Sequence, residues 1–300
     1  KQQKEIHTVL GQAGGIIGWN AGGEIMDATS SVYLNANSKV GGIVGFSDFA
    51  ADGQTMNNHF VRYTGKIECE NSCGGIIGEH GVISATLSGP TTLSLAGAVS
   101  QPSIIYDRST DGAGNMGGFI GRAGGDANTV LNVSEAHFNS TLDSEDGSVG
   151  GAFGNVLTGV NALLSDAHIN LDDVRGAGTG MGGVIGVNQS TGTELSSIVL
   201  RGGFTSTNFA SFIGTESSAG IYGNSYYSSS LPAFNLVGTV TDIFQGSDFS
   251  KTNIDTVSTN NDTDSTPILT TGNWADNGAN PTRPLFYEDI AVLGLSHTGA

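Results

Sequence analysis

The chain has little positive charge. Its 300 residues hold 11 Lys+Arg against 28 Asp+Glu, a formal charge of -17. Nucleic-acid binding needs basic surface to displace counterions, so that class is excluded. The same sign disfavours docking on an anionic membrane face. No apolar run approaches the ~20 residues that span a bilayer, so no membrane insertion is expected. No secretory leader is visible. The opening "KQQKEIHTVLGQ" reads as mid-domain material, as expected of a processed chain or a fragment. Helical periodicity is scarce, and 47 glycines penalise helix interiors.

Cysteine is nearly absent too. Cys69 and Cys73 stand in "IECENSCGG". Two ligands with no nearby His are too few for a structural zinc site. A small-loop disulfide formed in an oxidising compartment fits the spacing; two buried thiols are the alternative.

Glycine is abundant and ordered. "GGIIGW" begins at Gly14, "GGIVGF" at Gly41, "GGIIGE" at Gly74, "GGFIGR" at Gly117, "GGAFGN" at Gly150 and "GGVIGV" at Gly182. A degenerate copy, "ASFIGT", begins at Ala210. A period of roughly 30 residues marks a stacked-repeat architecture. Each period adds two further β-rich segments, for example "GEIMDAT" and "SVYLNAN", joined by Gly/Asn/Asp/Ser turns. Period-two alternation sets Leu34, Leu93, Leu95, Ile169 and Leu171 on one side and Tyr33, Ser94 and Asn170 on the other. The expected fold is all-β: a parallel β-solenoid of about seven three-strand coils over residues 1–230, closed by a C-terminal cap over 231–300. "KEIHTVL" reads as the third strand of a preceding coil.

In a solenoid the boxes stack. Ile16, Ile43, Ile76 and Phe119 form one ladder; Ile17, Val44, Ile77 and Ile120 form the next. Neighbouring residues on a strand face opposite sides. One ladder is therefore expected inside, and the other is expected to need a cover such as another chain, which makes both ladders self-assembly candidates. A phosphate cradle is excluded, because the glycines flank a strand and no helix follows.

The six boxes resemble the GLUG repeat family of bacterial surface and secreted proteins, named for its Gly-Leu-any-Gly box. "GIYGNSYYSSS" (220–230) and "GNWADNGANPTRPLFY" (272–287) resemble the stretches that end such arrays. The resemblance implies an extracellular structural or adhesive role and supplies no catalytic residue. Partners implied are further copies, other surface or matrix proteins, or glycans.

Other chemistry has few anchors. No cofactor is implied. Calcium, which needs six to eight oxygens, has only weak candidates at Asp143 and Asp146. His137 and His168 occupy the same place in successive repeats and are expected to form an exposed polar ladder. The stretch 101–115 is expected to loop out as an insertion. The alternative function is a polysaccharide-active β-helix enzyme, for which Asp166, Asp172 and Asp173 are the best carboxylates. Sequons at Asn132, Asn139, Asn188 and Asn261 matter only if the source glycosylates proteins.

Overall fold

The computed structural model describes residues 5–8, 11–49, 51–81, 89–109, 114–125, 128–178, 180–206, 208–228, 231–232, 236–246, 274–275 and 283–284. Asn261 and most of both the segment 272–287 and "GVISATL" lie outside them. Among the described residues every regular element is a strand.

The chain winds through seven coils. Each coil gives one strand to each of two 7-stranded parallel sheets and the rest to a 15-stranded sheet. Coil 2 is representative. Lys39–Gly41 enters the first narrow sheet and Val44–Asp48 the second. Thr55–His59, Arg62–Tyr63 and Lys66–Cys69 enter the broad sheet. In coils 4 and 5 these last three fuse into single bent strands, Thr129–Ser144 and Asn161–Gly176. The three-strand repeat read from the sequence therefore divides further, because the box is a corner between two sheets. "TTLSLAG" falls one position earlier in its coil than expected: Leu93 pairs with Met56 and Leu131 on the first arm of the broad sheet.

Register is what builds the core. Leu34, Ile67, Ile105, Leu142 and Val174 are successive rung partners, and all are fully buried. Burying each such side chain contributes about 1.5–3 kcal/mol. Parallel in-register stacking repeats that gain on every rung.

A second corner bends the broad sheet. Asp27, Phe60, Gly97, Glu135, Asp166 and Ser197 have φ of 51°, 53°, 64°, 50°, 49° and 53°. Their preceding residues are rung partners, so the six stack. One left-handed residue in each of the first six coils shifts the in/out alternation by one. Leu131 and Val133 point inward before it, and Ala136 and Phe138 are buried after it.

Two further departures concern loops and ends. Ile105–Asp107, inside the expected insertion, is a regular strand between Lys66–Cys69 and Thr129–Ser144. Its inward residues match the register of both neighbours, which fixes it in the sheet; the surplus residues fall after it, before Asn115–Gly117. Beyond residue 230 the ladder continues: Gly238–Gly246 pairs in parallel with Gly220–Ser228. Trp274–Ala275 and Arg283–Pro284 form a small antiparallel pair, and the latter lies against the strands of coils 4 and 5. At the other end, Glu5–Thr8 pairs in parallel with Tyr33–Ala36, in the position of a preceding coil's last arm.

Candidate functional site

The box corner explains its three glycines. A Cβ on Gly41 would lie 1.9 Å from the Val44 carbonyl oxygen, so the turn itself forbids one. A Cβ on Gly42 would meet Gly75 O at 2.2 Å and the Tyr63 ring at 2.3 Å, across the interior. A Cβ on Gly45 would fall 2.8 Å from the Ala13 backbone of the coil below. Backbone packs on backbone at the first and third glycines, and an aromatic ring fills the space opposite the second.

The two residues between these glycines close the corner. The Ile43 and Val44 amides both donate to Ile76 O, at 3.0 and 3.0 Å. The Ile76 and Ile77 amides both donate to Phe119 O, at 3.0 and 2.9 Å. Ile43, Val44, Ile76, Ile77, Phe119 and Ile120 are all 0% exposed and belong to one core. This corrects the expectation that one ladder faces outward. The chain turns between the two ladders, so strand alternation does not separate them, and from coil 2 upward the fold supplies its own cover. Coil 1 differs: Ile16 is 48% exposed and Ile17 half-buried.

Outside the second narrow sheet runs a charged file. Glu79 is held by Lys39 at 2.8 Å and Arg122 at 3.4 Å, and it accepts from Ser72 Oγ at 3.1 Å. The Lys39 ammonium also sits 3.6 Å over the Phe46 ring. Trp19, one rung below Phe46, is 55% exposed.

Cys69 and Cys73 form a disulfide, with Cα atoms 5.9 Å apart. It bridges the end of the broad sheet to the start of the next box strand. Asp107, the rung partner of Cys69, is fully buried beside it. Asp143 stacks between Tyr106 and Arg175, and Asp146 is exposed. Among the described residues Asp143 and Asp146 gather no third ligating side chain. Tyr106 instead hydrogen-bonds Glu145, which together with burial pushes its phenol up to about 12.

His137 and His168 are rung partners with ring centroids 4.9 Å apart, but they are buried at 6% and 1% exposure. The exposed ladder is thus corrected. Both point away from the coil interior, as alternation requires, and are nonetheless buried. Of the three catalytic carboxylates considered, Asp173 is paired with Arg175 at 2.7 Å, Asp172 is exposed and Asp166 sits on the left-handed corner.

Of two Ser–His pairs that escaped the sequence, half-buried Ser94 Oγ lies 3.2 Å from His59 Nε2, and Ser47 Oγ lies 3.2 Å from His80 Nδ1 on neighbouring rungs. Ser47 and His80 are 0% exposed, and burial pushes the His80 imidazole down to about 3. A pair sealed from substrate is a packing element. Its only sequence signal would have been the register, which the sequence does not print. Tyr63 was missed for the same reason; its hydroxyl donates to Val32 O and Lys66 O, both at 2.8 Å.

The chain matches no family model, no curated protein and no solved structure.

Proposed function

We propose that this chain is an extracellular structural or adhesive β-solenoid of the GLUG-repeat kind, a bacterial adhesin or matrix component in which a further coil, of the same or another copy, covers coil 1. One observation carries the reading. Ile6, Ile16, Trp19 and Met26 are 39%, 48%, 55% and 55% exposed in and below coil 1. The box residues stacked on them, Ile43 and Phe46, are 0% and 4% exposed. A further coil laid on this end would bury apolar surface and pair open strand edges. A surface rich in Ser, Thr, Asn and Gly supports the extracellular setting, and so does the disulfide.

The test is the state of the purified 300-residue chain. Electron microscopy and light scattering at rising concentration should show rods longer than one solenoid. The double variant Ile16→Lys, Trp19→Glu should leave circular dichroism unchanged and abolish those rods. A chain that stays monomeric throughout sinks the self-association reading.

A further inference from the structure

We propose that Ser94, His59 and Asn132 form a surface site that hydrolyses short-chain, uncharged carboxylic esters. Ser94 Oγ lies 3.2 Å from His59 Nε2. Ser47 and His80 are sealed in the interior, but this second pair stands on the outer face of the broad sheet, half-buried and within reach of substrate. A hydroxyl in hydrogen-bond reach of an imidazole is the minimal nucleophile-and-base unit.

Register brings the three together. Asn57, Ser94 and Asn132 are successive rung partners. All three point outward, because Leu93 and Leu95 on either side of Ser94 are buried in the core, as are Leu131 and Val133 around Asn132. Neighbouring rungs stand about 4.8 Å apart, so a carboxamide flanks Ser94 from below and from above. His59 comes from the rung below, two residues beyond Asn57. Asn57 Nδ2 already donates to Glu24 Oε1, at 2.7 Å. Asn132 is therefore the donor placed for the oxyanion that forms on a substrate at Ser94. Base and oxyanion donor approach the hydroxyl from opposite rungs, and paired strands hold both in place.

The surroundings set the substrate class. Thr92, Ala96, Val130 and Ser134 are the outward neighbours of Ser94 and Asn132 along their strands, and none carries a charge. A charged substrate finds no counter-ion among them. Phe60 follows His59 at the corner, is 40% exposed and sets its ring edge-on to the imidazole at 6.4 Å. It offers apolar surface to a short acyl chain.

The reaction runs in two halves. With its own proton on Nδ1, His59 accepts the Ser94 proton at Nε2 while Ser94 Oγ attacks the ester carbonyl. The Asn132 carboxamide donates to the resulting oxyanion. The bond to the alcohol oxygen breaks, and the alcohol leaves with the proton returned by His59. Water then attacks the acyl-Ser94 ester, giving its proton to His59 Nε2. The carboxylic acid leaves and Ser94 recovers its proton.

The experiment uses the full chain with p-nitrophenyl butyrate as substrate and a fluorophosphonate as a serine-directed probe. The probe should phosphonylate the wild type at Ser94, located by peptide mass spectrometry, and ester turnover should stop with it. Ser94→Ala should lose both labelling and turnover, whereas Ser134→Ala on the same face should keep both. His59→Gln should slow labelling and turnover by about 100-fold or more. Asn132→Ala should lower turnover by about 100-fold. Circular dichroism monitors the fold of each variant, and should one unfold, the site of labelling in the wild type still decides. A wild type that stays unlabelled, a label on another residue, or unchanged turnover in folded Ser94→Ala, His59→Gln or Asn132→Ala overturns the proposal.

Discussion

His80 is an imidazole kept neutral by its surroundings. It is fully buried between Ser47 and Phe49, with the Phe49 ring edge-on at 4.9 Å. Burial lowers its pKa from 6.5 to about 3. A base with a depressed folded pKa stabilises the fold above its unfolded pKa and loses that contribution as pH falls. Between pH 6.5 and about 3 the unfolded chain binds a proton that the folded chain refuses. The loss is about 1.4 kcal/mol per pH unit. Urea melts at pH 7 and pH 5 should therefore show the wild type losing about 2 kcal/mol more than His80→Leu. Equal losses in the two proteins would remove His80 as the cause. The sequence offers no sign of this, because a lone His in "GEHGV" reads as surface until the register with Ser47 is known.

At the scale of elements, the two corners differ in how they are written. The box corner needs glycine for contact reasons that recur in every coil, so it appears as a motif. The left-handed corner needs only a positive φ, and Asp27, Phe60, Gly97, Glu135, Asp166 and Ser197 meet it with five residue types. No motif results, and pattern reading cannot find it. Coil 3 alone uses the residue for which this conformation is free of strain. Glu135→Gly should accordingly stabilise the protein by about 0.5–1 kcal/mol in urea unfolding. A destabilised variant would mean that the Glu135 side chain holds the corner by contacts that outweigh its backbone strain.

For the whole molecule, stability is a sum over coils and their interfaces. The Cys69–Cys73 bond adds a covalent staple at one corner, joining residues only four apart in sequence. So short a loop restricts the unfolded chain little, and its removal should cost roughly 2 kcal/mol. Thermal melts of the oxidised chain and of Cys69→Ala, Cys73→Ala should differ modestly, with both unfolding from the same β-rich spectrum. Loss of all structure in the variant would make this corner a nucleus for the stack. Asp166, Asp172 and Asp173, the carboxylates on which the sequence would place a polysaccharide-acting enzyme, occupy a corner, an exposed position and an ion pair.

The sequence by itself determined the architecture. Boxes repeating in phase, period-two alternation and missing helical signals left a parallel solenoid of about seven coils, and seven are present. Composition could do this because every coil meets the same contacts, so the same residues return. Tertiary structure alone decided what each position faces. It turned the box strand into a corner and buried both of its ladders, drew Ile105–Asp107 into the sheet, and buried His137 and His168. Those outcomes depend on which rung lies above which and on chain arriving from elsewhere. Local pattern carries neither, because a strand's alternation records its two sides and not what lies beyond them.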